Sequence, residues 1–466
     1  MKILLVRPPR IKQAVTLSDF MYSEPLGLEM LYAVLEKHHE VEIFDMMCDE
    51  MPLLDKLAKY APEVVGITSL CIDVNAVLKI ARETKKDNAS VYTLVGGTQA
   101  YLNPSSFFDP AIDFVFKFTT AENVEAFFEA LSLVIKGSKI PEIPEIPEIP
   151  DIPGILNRAN QYRGKDAVGH NAYILPNRDA TSKYRQHYSY FGYKPSAIMQ
   201  ISQGCNKACM FCLRWRIEGY EEIEFDGEAI KQDLLAIKEE TIMLYDNDIV
   251  GSDIRIAHFL EVLESLNLKK NFIAYASVEG ILANVEALKR FKSLGLKALL
   301  VGYETFSEKE MAYYTKKTSP SDSLKVSEIL KEIGIDVWAS FMAHPDWNKE
   351  DFKMFRSYVK QLSPQISSVS PLTPFPNLPL YDDYKDRLLV GIEDYEKWSF
   401  GQVTIHPGKM TLKAYYFQML LTNLYINLSL NQSTEMLKRF GLKSMVRLTV
   451  GSFKASIRYI KLMMTK

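Results

Sequence analysis

"ISQGCNKACMFCLRW", residues 201–215, places Cys205, Cys209 and Cys212 in the spacing C-x3-C-x2-C. The chain has five cysteines, and the other two, Cys48 and Cys71, lie far upstream. A structural zinc takes four ligands, usually as two pairs. No fourth ligand stands nearby, and His187, His258 and His344 show no ligand spacing. A redox C-x-x-C accounts for Cys209 and Cys212 but leaves Cys205 unexplained. An iron–sulfur cluster is the reading that remains. A [4Fe–4S] cluster normally takes four cysteines, so one held by three keeps open sites on one iron, where a small chelate can bind.

The composition sets the frame around this loop. A chain of 466 residues is long enough for two or three domains. An apolar fraction of 47% and a charged fraction of 24% are those of a soluble globular protein. A net charge of −3 gives no surface for wholesale nucleic-acid binding, and no nucleic-acid partner is expected. The start, "MKILLVRPPR", holds one short apolar run before Pro8-Pro9 and reads as a buried strand, not as a secretory signal. No apolar stretch reaches the roughly 20 residues that span a bilayer. A reducing cytoplasm is therefore expected, where clustered cysteines are more often metal ligands than disulfides.

Upstream of the cysteines, residues 1–137 alternate short apolar runs such as "KILLV" (2–6) and "EVVGITSL" (63–70) with helical patterns. Five strands with helices between them predict a flavodoxin-like, doubly wound parallel sheet. Ligands of such sheets bind beyond the carboxyl ends of the strands. Those ends are Arg7-Pro8-Pro9, Thr68-Ser69-Leu70, Gly96-Gly97-Thr98-Gln99 and Phe118-Thr119-Thr120. "PEIPEIPEIPDIPG" (141–154) favours extended polyproline geometry and reads as a semi-rigid spacer in a connecting segment, 138–195. A proline-rich ligand for a partner is the alternative reading of that run. From Ser196 the alternation restarts. Strands are predicted at 197–202, 241–245, 271–276, 297–302, 335–341 and 366–370, which suits an open, partial (βα)6 barrel over 196–378. Residues 379–466 read as a helical region with a basic end.

"GCNKACMFC" at the end of a first barrel strand resembles the cluster loop of the radical S-adenosylmethionine superfamily. The resemblance implies a [4Fe–4S] cluster on Cys205, Cys209 and Cys212, with S-adenosylmethionine chelating the open iron. One electron, from a reductant such as flavodoxin or ferredoxin, then cleaves the sulfonium C5′–S bond and yields a 5′-deoxyadenosyl radical. Further positions follow by match. Phe211 resembles the aromatic that packs near the adenine. "MLYDND" (243–248) stands where the family holds the methionine amine. It departs from the common Gly-Gly-Glu and offers Tyr245, Asp246 and Asn247, with Asp246 or Asp248 as a helix N-cap being the plain alternative. Ser277 and Glu279 end the third strand. Gly302 and Glu304, in "LLVGYET" (299–305), match a Gly-x-Glu often found after the fourth. "SPLTPFPNLPLY" (370–381) is similar to a "TPFPGT" turn, with Asn377-Leu378 in place of Gly-Thr.

The N-terminal half adds a second resemblance, to the subclass of this superfamily that carries a cobalamin-binding domain. The matching pieces are "ILLVRPP", "PLGLEMLYAVLE", "VVGITS", "LVGGTQAY", "IPGI" (152–155) and "PNRDA" (176–180), in that order. It implies cobalamin at Pro8, Pro9, Thr68, Ser69, Leu70, Gly96, Gly97, Thr98, Gln99 and Thr119. It also implies methyl transfer to an unactivated carbon: one S-adenosylmethionine methylates cob(I)alamin, and a second supplies the radical that abstracts a substrate hydrogen. Two departures stand against a complete match. No Asp-x-His-x-x-Gly motif supplies a lower cobalt ligand, and the usual "GEGE" reads "FTTAEN" (118–123). A degenerate first domain would leave cyclisation, rearrangement or oxidation by the same radical. A non-catalytic iron–sulfur electron carrier is the alternative of another class.

After Glu435 the chain has no acidic residue, while Lys438, Arg439, Lys443, Arg447, Lys454, Arg458, Lys461 and Lys466 are interleaved with apolar residues. That pattern suits a peripheral membrane contact and a lipid-like substrate, or a helical layer over the barrel mouth with solvated lysines. Trp338, Trp347, Trp398, Tyr415, Tyr416 and Phe417 could line a pocket for a flat or apolar small molecule, although aromatics so spaced are usually core.

Overall fold

The strand Lys2–Arg7 reads KILLVR, and Ile3, Leu4 and Val6 are all fully buried. Apolar side chains on both faces require a sheet covered on both sides, which helical crossovers between parallel strands supply. The computed structural model, which describes residues 1–9, 11, 21–137, 151–159, 162, 172–431, 437, 441–442, 446 and 456–464, contains that sheet. Five parallel strands, Lys2–Arg7, Glu40–Asp45, Val64–Thr68, Tyr92–Gly96 and Phe114–Phe116, lie side by side in the order second, first, third, fourth, fifth. This is the doubly wound order expected, with its switch point between the first and third strands. Helices Leu26–Leu35, Leu53–Tyr60, Val74–Asp87 and Thr98–Leu102 connect the strands, and Ala121–Gly137 follows the fifth.

The chain forms two compact units, Met1–Gln13 with Glu24–Arg185, and Ala14–Ser23 with Gln186–Lys466. The first therefore extends well beyond residue 137, for two reasons. Ile155–Asn157 adds a sixth strand to its sheet, antiparallel to Phe114–Phe116. Gly154, in the "IPGI" piece, has φ +81°, and a Cβ there would strike the Phe118 ring. Further on, Arg178, from "PNRDA", is buried with Glu24 and Glu29 at 2.8 and 3.4 Å, and the Thr181 hydroxyl donates to Glu29. Arg185 pairs with the same two carboxylates. The proline repeat at 141–150 and most of the basic tail, including Lys438, Arg439, Lys443, Arg447, Lys454 and Lys466, lie outside the described residues.

The second unit holds six parallel strands in simple sequence order: Ser196–Met199, Thr241–Leu244, Asn271–Ser277, Leu296–Glu304, Asp336–Ala343 and Ile366–Pro371. The first and last each have a single neighbour, as in an open, partial barrel. Two boundaries differ from the sequence reading. The first strand stops at Met199, not at 202, and the fourth continues to Glu304 through a shift of register after Gly302. Neither Asp246 nor Asp248 caps a helix, because Ser252 caps Asp253–Leu266 by accepting the Arg255 N–H. Beyond the barrel, residues between Pro379–Tyr384 and Leu412–Tyr425 are turns and short 3-10 segments, so the C-terminal region is helical only in part. No helix among the described residues is long and apolar enough to cross a membrane.

Removing one partner of a buried ion pair strands the other charge without compensation. Arg178→Met leaves Glu24 and Glu29 short of a cation and is expected to destabilise the first unit by about 3–5 kcal/mol. Denaturant unfolding followed with probes placed in each unit checks this.

Candidate functional site

The chain leaves the first barrel strand toward the cysteines under the control of one carboxylate. Asp246, 1% exposed, accepts the Ile201 N–H at 3.2 Å and the Ser202 hydroxyl at 2.6 Å. Burial pushes its carboxyl up to about 6, against the hydrogen bond from Ser202. Ser202–Gln203 then pairs with Ile223–Glu224 as a two-stranded ribbon. Gly204 follows with φ +92°, and a Cβ there would collide with the Glu221 carbonyl oxygen. The neighbouring Asn247 donates to the Gly204 carbonyl at 2.8 Å and to Glu218 at 2.7 Å. Arg214 closes the loop from its far side. It bonds the Asn247 side chain, the Tyr245 carbonyl at 2.6 Å and Glu218 at 2.9 Å, and its guanidinium lies 4.3 Å from the Tyr245 ring centroid.

Within this frame stand three free thiols. Cys209 is buried and Cys205 and Cys212 are half-buried. The Trp215 indole donates to the Cys209 carbonyl at 2.9 Å, and the Cys212 N–H does so at 3.1 Å. Burial raises all three thiols, Cys212 to about 11, so metal binding has to displace their protons. Among the described residues no three His, Cys, Asp or Glu side chains gather as ligands of a single ion. Cluster ligands each take a different iron and need not converge on one point. Three thiols on one short, multiply tethered loop fit a [4Fe–4S] cluster with one iron left open.

A cleft opens beside Cys209, lined also by Lys207, Ser277, Glu279, Gly302, Thr315 and Lys316. The Lys207 ammonium binds Asp248 and the Ser277 hydroxyl, and lies 3.8 Å from Glu279. Asp248 also takes the Ser277 hydroxyl at 2.6 Å and its N–H at 3.1 Å. Across the cleft, Lys316 pairs with Glu304 at 3.1 Å and lies 5.6 Å from the Phe211 ring centroid. Burial alone would lower the Lys316 ammonium. Glu304, followed by the Cys209 and Cys212 sulfurs, outweighs that and holds it above the usual lysine range. Glu304 has φ +62°. A Cβ on Gly302 would overlap the Glu304 carboxylate, which is the physical reason for a Gly-x-Glu at this strand end.

The structure thus brings Ser277, Glu279 and Gly302 to the cleft that Cys209 lines, with Glu304 behind it on Lys316. Asp246 and Asn247 bond the cysteine loop, and neither is among the residues that line that cleft. Tyr245 lies under Arg214, with its ring 6.0 Å edge-on from Tyr275. Phe211 packs edge-on to Tyr314 at 5.5 Å, beside Leu372 and Leu380. The similar-to-"TPFPGT" turn also meets the loop. The Leu380 N–H reaches the Met210 carbonyl at 3.4 Å, and Arg216 donates to the Asn377 carbonyl at 3.1 Å. Asn377 has φ +71°, a conformation asparagine tolerates better than most residues, so it can stand in for glycine. Sequence reasoning missed Lys207 and Lys316. Lys207 had a signal, its place between Cys205 and Cys209. Lys316 had none. Of the aromatics named from sequence, Trp338, Trp347, Trp398, Tyr415 and Tyr416 are core, and Phe417 is exposed.

At the carboxyl ends of the first sheet, Pro8, Ser69 and Gln99 are buried; Pro9, Thr68, Gly96, Gly97, Thr98 and Thr119 are half-buried; Leu70 is 52% exposed. The Ser69 hydroxyl donates to the Gly96 carbonyl at 2.7 Å, and Gln99 donates to Ser106 at 3.0 Å. Gly97, at φ +95°, has no room for a Cβ against the Ser69 backbone. An open apolar side chain beside a glycine pair fits a large ligand lying across the strand ends. Where "GEGE" is usual, Thr120 and Asn123 form a reciprocal cap, with N–H···O distances of 2.9 and 3.2 Å, at the head of the last helix.

Two variants probe these sites. Gly302→Ala is expected to push the Glu304 carboxylate aside and weaken S-adenosylmethionine binding about tenfold, with melting temperature nearly unchanged; one such loss equals about 1.4 kcal/mol in equilibrium dialysis. Asp73, whose carboxylate accepts the Leu70 N–H, is pushed up to about 6 by burial. Its native carboxyl therefore holds a proton that the unfolded one has already lost, and ionised Asp73 costs stability above that pH. Asp73→Asn should raise the melting temperature at about pH 7.5 and leave it unchanged at about pH 3.5, below both pKa values.

Known proteins share both units. A radical SAM superfamily model matches residues 199–359, and a B12 binding domain model matches residues 13–128. The chain is 24% identical over 431 residues to the hopanoid C-3 methylase of Methylococcus capsulatus, covering 91% of this chain and 79% of that one. It is 20% identical over 410 residues to the bacteriochlorophyllide d C-8(2)-methyltransferase of Chlorobaculum tepidum, covering 85% and 83%. Among solved structures, the fold is shared with the cobalamin-dependent S-adenosylmethionine radical enzyme OxsB, at TM-score 0.69 and 14% identity over 99% of this chain and 72% of that one. The B12 binding domain model falls on the second to fifth strands of the doubly wound sheet and the radical SAM model on the cysteine loop and the next four barrel strands, and the chain carries a B12 binding domain followed by a radical SAM domain.

Proposed function

We propose that this chain transfers a methyl group to an unactivated carbon of a small, polycyclic and largely apolar molecule. The observation that carries the reading is the pairing of a three-thiol loop beside an ionic cleft with a first unit matched by a B12 binding domain model. Two relatives are named for methylation at a carbon, one of a hopanoid and one of a bacteriochlorophyllide, and both names denote polycyclic apolar compounds. Together the cofactors supply a 5′-deoxyadenosyl radical and a cobalt-borne methyl group. The chain's own residues do the holding. Cys205, Cys209 and Cys212 ligate the cluster and leave one iron for the amino acid end of S-adenosylmethionine. Lys316 and Lys207 offer cations to its carboxylate, and Ser277, Glu279 and Glu304 offer acceptors to its amine and ribose. Phe211 packs toward the adenine.

The sequence has no Asp-x-His-x-x-Gly motif, and the strand-end residues from Pro8 to Thr119 would hold the corrin. A reduced flavodoxin or ferredoxin supplies the electron. The reading includes peripheral contact with a membrane, where such a substrate resides.

Anaerobically prepared protein, reconstituted with iron and sulfide and given dithionite, is expected to release 5′-deoxyadenosine. It should retain hydroxocobalamin through gel filtration. With methyl-labelled S-adenosylmethionine and a hopanoid or chlorin acceptor, label should pass to carbon. Cys209→Ser should abolish 5′-deoxyadenosine while leaving cobalamin bound. Release of 5′-deoxyadenosine without retained cobalamin or methyl transfer would replace methylation with another radical reaction.

A further inference from the structure

The helix Leu412–Tyr425, continued by Ile426–Leu430, is apolar on two opposite sides. Tyr415, Tyr416, Met419 and Ile426 are buried in the protein at 0–1% exposure. Phe417, Leu421, Leu424 and Leu428, at i, i+4, i+7 and i+11, form a stripe on the other side and are 52%, 40%, 37% and 78% exposed. A helix apolar all round is normally enclosed by apolar surroundings. Among the described residues nothing encloses this side. The helical segment 456–464 repeats the pattern: Tyr459 is buried 5.7 Å from Tyr416, while Ile457, Ile460 and Met464 are 38%, 42% and 74% exposed.

Charge identifies the occupant. From Lys397 to the end, the sequence has eleven lysines and arginines and a single acidic residue, Glu435, in a chain whose net charge is −3. We infer that this face docks on an anionic lipid bilayer, with the Phe417–Leu428 stripe entering the headgroup boundary and Lys409 and Lys413 meeting lipid phosphates. Apolar burial and attraction to anionic headgroups add in such an arrangement. A second copy of the chain fits less well, because a two-fold interface would set the same cationic segment against itself. A neutral apolar protein groove would leave the charge without a counterpart. The inference rests on the membrane contact within the proposed function and assigns it to residues. It is read without turnover, so it and the methyl transfer can fail separately.

The test is co-sedimentation of the full chain with vesicles of phosphatidylcholine containing about one-third phosphatidylglycerol, beside phosphatidylcholine alone. Binding to the anionic vesicles is expected at low salt, at least about tenfold weaker on the neutral ones, and weakened again as salt shortens the Debye length to about 8 Å. The triple variant Phe417→Ser, Leu421→Ser, Leu424→Ser changes only exposed side chains. It should lose sedimentation while keeping its melting temperature and its release of 5′-deoxyadenosine. Lys409→Glu with Lys413→Glu should weaken binding to the anionic vesicles alone. Undiminished sedimentation of the triple variant overturns the inference, as does failure of the parent chain to sediment with either vesicle. A parent dimer that the triple variant converts to monomer, with neither binding vesicles, overturns it in favour of a second copy.

Discussion

The buried Asp246 carboxylate, which takes the N–H of Ile201 and the hydroxyl of Ser202, decides where the cysteine loop begins. A backbone N–H buried at that depth has to be paired, and the sheet no longer pairs it once the first strand has ended at Met199. The carboxylate comes from the end of the second strand, so the loop's origin is fixed to the barrel by a side chain from a neighbouring strand. Asn247, the next residue, holds the Gly204 carbonyl and Glu218, and Arg214 draws both back toward the Tyr245 carbonyl. Networks of this kind are all-or-none: a missing member leaves its partners buried and unpaired. This network ties the loop that carries the three thiols to the barrel at several points.

Strain collects in the same place. Ala208, Glu304 and Thr315 all have positive φ without being glycine; Thr315 lines the cleft, Ala208 precedes Cys209, which lines it, and Glu304 pairs with Lys316, which lines it too. Such residues cost about 1–3 kcal/mol each and persist only where their surroundings over-determine them. Thr315 reaches the Ala208 carbonyl at 3.4 Å, Tyr314 before it packs on Phe211, and Lys316 after it pairs with Glu304. One short segment after the fourth strand therefore braces the cysteine loop and supplies the cleft with a cation. In the first unit, by contrast, the departure at "FTTAEN" has a plain structural use. Thr120 and Asn123 cap the last helix, and Asn123 also bonds the Phe118 carbonyl at 3.1 Å.

Much of this was legible because it is local. Period-2 and longer apolar runs mark strands and helices whatever their partners, so both sheets could be read in advance, as could the three cysteines and the Gly-x-Glu. The edge strand Ile155–Asn157 was harder, since a three-residue strand after a proline run carries almost no pattern. The boundary of the first unit was missed for the same reason. It depends on Arg178 reaching Glu24 and Glu29, an ion pair that no local signal announces.

The sequence by itself determined the order of the elements, the C-x3-C-x2-C spacing and the cationic bias of the C-terminal region, because each is a property of neighbouring residues or of their sum. Only the tertiary structure decided that Asp246 and Asn247 serve the loop, that Lys207 and Lys316 face one cleft from separate segments, and that Phe417 is open while Tyr416 beside it is buried. Those outcomes depend on which distant segments come into contact. A side chain's partner, its burial and its charge are set by that contact.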